Sequence, residues 1–74
     1  MKELYLAKDP NGKVYGFDKL PVFNTNVNEW RPKSTKDWWY NPEKLAEMNI
    51  DVTKFPLTHE TPIKIRAVWE VINE

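Results

Sequence analysis

Four consecutive residues, Asp9-Pro10-Asn11-Gly12, constrain this chain more than any other stretch. Aspartate suits the first position of a type I turn, and proline presets φ at the second. Glycine then takes the left-handed position that completes a three-residue hairpin loop with a bulge. With Leu4-Tyr5-Leu6-Ala7 before it and Val14-Tyr15-Gly16-Phe17 after it, the turn predicts a β-hairpin from Leu4 to Phe17. Its register follows from Asp9 facing Lys13. Ala7 lies opposite Tyr15 and Tyr5 opposite Phe17 on one face, while Leu4, Leu6 and Val14 share the other. Gly16, opposite Leu6, leaves a gap through which another element can approach closely.

The remaining chain reads as one small domain over residues 1–74. Lys2 to Lys8 and Lys13 to Asp18 are the hairpin strands. Lys19 to Phe23 leaves the sheet, because Pro21 has no N–H to give a central strand. Asn24 to Asn28 is turn-prone, since short amides and hydroxyls compete for the backbone. Val27 to Arg31 is a short strand carrying Trp30 inward and stopped by Pro32, and Asp37 to Tyr40 is a further one. A helix begins at Asn41, a good N-cap, with Pro42 at its first position and Glu43 where the macrodipole favours negative charge. Leu45 and Met48 share its buried face, and Asn49 supplies the left-handed stop. Ile50 to Thr61 is irregular, and Ile63 to Val71 alternates as a last strand. Ile63, Ile65, Ala67, Trp69 and Val71 fall on one of its faces and Lys64, Arg66 and Glu70 on the other. The expected fold is α+β: a β-rich domain with an antiparallel sheet of three to five strands, the N-terminal hairpin plus the C-terminal strand, and one short helix. A small open β-barrel is the alternative.

No cysteine is present to staple a domain of this size, whereas there are four Trp, three Tyr and three Phe. Large rings bury on the order of 150–250 Å² each, so most of them, Trp30 and Trp38 included, are expected to fill the core. Strand geometry sends neighbours to opposite faces, which leaves at least one of Trp38 and Trp39 partly exposed. Eleven basic and eleven acidic residues balance and interleave, which favours neither a polyanion nor its mimic. The absence of a long apolar run or a leader-like start implies no membrane contact and a cytoplasmic location.

Residue chemistry supports no catalysis. Ser34 and His59 are the single serine and histidine, and no glycines flank the serine as a nucleophile elbow requires. His59-Glu60 has no second histidine or cysteine to complete a metal set, and both glycines are explained by the hairpin, so no cofactor is expected. The stretch Trp30 to Tyr40 does stand out. Trp38, Trp39 and Tyr40 together with Arg31, Lys33 and Lys36 form a candidate binding surface, suited to a protein hot spot or to stacking on bases or sugars. The outer face of the last strand, with Lys64 and Arg66, is a weaker candidate and reads better as solvated charge.

The spacing of several of these features resembles a group of very short proteins from gut bacteria and the phages and mobile elements that infect them. The shared elements are Tyr5-Leu6-Ala7-Lys8-Asp9 leading into Asn11-Gly12, then Val14-Tyr15, Phe17, Lys19 and Pro21. They continue with Trp30, Asp37-Trp38, Phe55-Pro56-Leu57-Thr58, Glu60 and Pro62. His59 stands where that group tends to carry an aromatic. The resemblance implies a fold but brings no reaction, cofactor or catalytic residue with it. Together these readings lead to an expected non-catalytic interaction module, encoded by a phage or mobile element and binding a host or viral protein. A single-stranded nucleic-acid or oligosaccharide binder is the alternative. A monomer and a homodimer are both compatible with the chain.

Overall fold

The computed structural model describes residues 3–66 and 70–72. The first two strands, β1 (Glu3–Lys8) and β2 (Val14–Phe17), form the expected hairpin. Its register pairs Tyr5 with Phe17, Leu6 with Gly16, Ala7 with Tyr15 and Lys8 with Val14. The loop closes as its residues dictate. The Asp9 N–H donates to the Lys13 carbonyl at 2.8 Å and the Gly12 N–H to the Asp9 carbonyl at 2.8 Å. Gly12 sits at φ +92°, a region that a side chain rarely tolerates.

Around this hairpin lies one antiparallel sheet, in the order β5-β2-β1-β6-β7, and a separate two-stranded ribbon of β3 and β4. The strands are β3 (Val22–Asn24), β4 (Glu29–Arg31), β5 (Trp39–Tyr40), β6 (Ile63–Arg66) and β7 (Glu70–Val71). The sheet is open, with β5 and β7 at its edges, so the barrel alternative does not apply. Ile63 to Val71 is not one strand. β7 runs antiparallel to β6, with Ile65 opposite Val71 and Arg66 opposite Glu70. Alternating hydrophobicity marks which face a residue takes, and both arms of a hairpin preserve it, so the pattern alone did not reveal the reversal. Ala67 and Trp69, assigned to that strand's apolar face, lie outside the described residues.

One face of the sheet carries the main core. Leu4, Leu6, Val14 and Ile65 pack there with Tyr40, Leu45 and Ile50, and Met48, Val52, Phe55, Leu57 and Ile63 close the margin. Each fully buried Leu or Ile contributes roughly 1.5–3 kcal/mol relative to an exposed one. Helix α1 (Pro42–Glu47) supplies Leu45, which descends onto Gly16: a Cβ built there would lie 2.8 Å from Leu45 Cδ2. Asn41 caps the helix by accepting the Lys44 N–H on Oδ1 at 2.8 Å. At the other end Asn49, at φ +62°, turns the chain. There the Ile50 N–H reaches the Leu45 carbonyl at 3.0 Å and the Asn49 N–H the Ala46 carbonyl at 3.0 Å. This is a Schellman arrangement, and burial of Ile50 beside Leu45 supplies its hydrophobic contact. Because so short a helix depends on its ends, Asn41→Ala is expected to cost about 1 kcal/mol in a urea titration. An unchanged midpoint would show that docking of Leu45 alone holds the helix.

The core is therefore aliphatic, with Phe17 and Tyr40 as its only fully enclosed rings among the described residues. The expectation that Trp38 fills it is overturned, since Trp38 is 65% exposed. Trp39, at 50%, is exposed as strand geometry requires of at least one of the pair, Trp30 is half-buried, and Trp69 lies outside the described residues. Leucine and isoleucine from β1, β6 and α1 already occupy the space between helix and sheet.

Candidate binding surface

The second face of the sheet brings together Tyr5, Ala7, Tyr15, Phe17 and Trp39, by the registers of β1, β2 and β5. The β3–β4 ribbon stands against it. Phe23 and Trp30 are cross-strand partners in that ribbon, and their rings meet edge to face with centroids 5.3 Å apart. Two hydrogen bonds tie the ribbon down. The Trp30 N–H donates to Asp9 Oδ1 at 2.8 Å, and the Trp30 indole N–H donates to the His59 carbonyl at 3.2 Å.

Asp9 thus does more than begin a turn. The residue is 1% exposed, and its carboxylate joins the two sheets. Burial pushes its pKa above the ordinary carboxylate value, against the opposing effect of the Trp30 N–H; Glu29 adds to the rise and Arg31 opposes it. Asp51 shows the reverse. The Thr53 hydroxyl and N–H, both bonded to its Oδ1, hold its pKa low.

Between ribbon and sheet lies a cleft of about 190 Å³ lined by Tyr15, Phe17, Glu29, Trp30, Arg31, Pro32 and Trp39. Phe17, 2% exposed, is a fixed part of its lining. Tyr15 and Trp39 lie side by side, ring centroids 5.9 Å apart and tilted by 56°. Glu29 and Arg31 occupy the ribbon side and form an ion pair with each other.

The residues singled out in the sequence divide as follows. Trp38 and Trp39 are exposed, one just before and one on the edge strand β5. Tyr40 does not belong to the surface. It is 7% exposed, packs with Leu45 in the core, and donates its hydroxyl to Asp18 Oδ1 at 3.0 Å. Its pairing with Gly16 turns its side chain toward the helix, whereas Trp39, paired with Phe17, takes the opposite face. Arg31 lines the cleft, while Lys33 and Lys36 are exposed on the loop that follows β4. Ser34 shapes that loop, accepting the Lys36 N–H on its hydroxyl at 3.2 Å and the Asp37 N–H on its carbonyl at 3.0 Å.

Lys64 is engaged within the sheet, 3.4 Å from Glu3 and with its ammonium 5.6 Å from the Tyr5 ring centroid. β6 is an interior strand, so Lys64 and Arg66 guard no sheet edge. His59 and Glu60 lie on an exposed loop, where the His59 backbone carbonyl holds Trp30. Among the described residues no group of three His, Cys, Asp or Glu could hold a metal ion. No helix among them is long and apolar enough to cross a membrane.

Sequence reasoning missed Tyr15, Phe17, Glu29 and Pro32 as cleft residues. Hairpin alternation did place Tyr15 and Phe17 on one face; the missing information was that a second ribbon would stand over that face. No protein-family model matches the chain, and no curated protein or solved structure shows significant similarity to it.

Proposed function

We propose that the chain is a small non-catalytic interaction module, encoded by a phage or mobile element and acting in the cytoplasm, that binds a host or viral protein through the surface around Trp38 and Trp39. The observation that carries this reading is the exposure of two adjacent indoles, 65% and 50%, on a domain whose buried core, among the described residues, is built without them. Tryptophan exposes a large apolar area that water solvates poorly, and it is enriched among the residues that dominate protein interfaces. Trp39 is on the edge strand β5 and Trp38 immediately precedes it, and β5 is paired on one side only. An incoming chain can therefore meet rings and unpaired backbone together.

A nucleic-acid reading has less to draw on. Arg31 is already neutralised by Glu29, and Lys33 and Lys36 stand apart on a loop.

Immobilised protein should retain a discrete partner from a gut-bacterial lysate, and the Trp38→Ala/Trp39→Ala variant should lose it. Loss of a hot-spot residue costs about 2 kcal/mol or more, roughly thirty-fold in affinity. Equal retention by wild type and by a folded double variant would defeat the proposal. Salt-sensitive quenching of tryptophan fluorescence by oligonucleotide, with no protein retained, would transfer the surface to the nucleic-acid reading.

A further inference from the structure

We infer that the cleft between the β3–β4 ribbon and the sheet receives proline residues of an extended partner segment in the polyproline II conformation. The inference rests on the protein-binding reading and names the kind of chain that surface engages.

The aromatic lining comes from Trp39, Tyr15 and Phe17 on the sheet and Trp30 on the ribbon, with Pro32 beside them. Ring faces of this kind pack against the flat, rigid pyrrolidine ring. A proline-rich segment is already ordered before binding, so little chain entropy is lost.

The cleft volume of about 190 Å³ falls below the roughly 300–1,000 Å³ of sites that enclose a whole small molecule. It suits one or two side-chain rings of a longer chain crossing the surface.

Charge points the same way. Glu29 and Arg31 neutralise one another in the lining, so the cleft matches a ligand without charge. Beside the Glu29 carboxylate, its lining also carries donors. The Trp39 indole N–H and the Tyr15 hydroxyl are bonded to no described residue, and Arg31 retains N–H groups beyond the one given to Glu29. A polyproline II segment can serve those donors, because its carbonyls project outward, and its prolines bring no N–H that would need an acceptor.

The walls are also held in place before any ligand arrives. Asp9 and the His59 carbonyl fix Trp30, and pairing with Phe17 fixes the backbone of Trp39.

The test is titration of the intact protein with a peptide of repeated proline-x-x-proline and with the same peptide carrying alanine for each proline. Amide and indole NMR shifts and tryptophan fluorescence are the readouts. The proline peptide is expected to bind saturably, shifting the amides of Tyr15, Phe17 and Arg31 and the Trp39 indole N–H. The alanine peptide should bind at least ten-fold more weakly, and so should the proline peptide to Trp39→Ala. The shift map in the wild type keeps the test decisive if that variant fails to fold.

Equal binding of the two peptides, or shifts confined to other surfaces, would overturn the inference. Saturable binding of a free sugar at these residues, with no response to the proline peptide, would do the same. A protein retained from lysate through Trp38 and Trp39, with no response to the proline peptide, would overturn it while leaving the protein-binding reading intact.

Discussion

Gly16→Val is expected to cost this domain about 1–3 kcal/mol, toward the upper end of the range for overpacking a well-filled core. A Cβ at Gly16 falls 2.8 Å from Leu45 Cδ2, with two Tyr40 carbons at 3.5 and 3.6 Å. Cδ2 is the far end of a flexible side chain, but Leu45 is 1% exposed and enclosed by Val14, Tyr40 and Ile50. Relief therefore requires moving the helix. For a domain of this size a loss of about 2 kcal/mol lowers Tm by roughly 8–16 °C. It also removes a large share of a total stability of about 4–11 kcal/mol. A double-mutant cycle isolates the cause. Leu45→Ala alone should cost about 2–5 kcal/mol through the cavity it leaves. In that background Gly16→Val should cost at least about 1 kcal/mol less than it does in the wild type. Strict additivity in urea titrations would mean that glycine is not at this position to admit the leucine.

Asp9 is the second site of large effect. Asp9→Ala removes the acceptor of the Trp30 N–H and the side chain that joins the two sheets. Hydrogen bonds to charged groups contribute about 1.5–3 kcal/mol, so a loss in that range is expected. Asp9→Asn keeps an oxygen for Trp30 and removes the charge, and it separates the two roles of the residue. Because burial raises the Asp9 pKa, the folded state holds this proton more tightly than the unfolded chain does. The contribution to stability is then fully present below the ordinary carboxylate pKa and is lost as pH rises through the raised value. Asp51, with a lowered pKa, acts in the opposite sense, and its contribution disappears as pH falls. Comparing wild type with Asp9→Asn cancels Asp51 and every other shared group. The stability of Asp9→Asn relative to wild type should climb as pH rises above the ordinary carboxylate pKa and level off above the raised value. A difference that stays flat or falls with pH would show that the carboxylate is not strained by its burial.

Both effects trace to the first hairpin, where local chemistry and fold agree. Asp9-Pro10-Asn11-Gly12 can turn in few ways, and once it turns, period-two alternation assigns every side chain from Leu4 to Phe17 to a face. The helix was equally legible, since Asn41, Pro42 and Asn49 act on backbone groups within a few residues of themselves. The last strand was not. Ile65 and Val71 share a face whether the chain runs straight or folds back, so the alternation that suggested one strand fits two. Trp38-Trp39-Tyr40 was misjudged in part for a related reason. Composition identified the stretch as unusual, but which ring is enclosed depends on where Gly16 and Leu45 meet, in segments distant along the chain.

The amino-acid sequence by itself determined the hairpin and its register, the capped helix, and the room at Gly16, because turns, caps and strand alternation act over a handful of neighbouring residues. Only the tertiary structure decided that the ribbon of β3 and β4 stands over the second face of the sheet, held through Asp9. It alone decided that Tyr40 is core and that both members of the Trp38-Trp39 pair, rather than one, face water, and that Tyr15, Trp30 and Trp39 share a cleft. Those outcomes depend on which distant surfaces exclude water from one another, and a single chain read in order does not encode that competition locally.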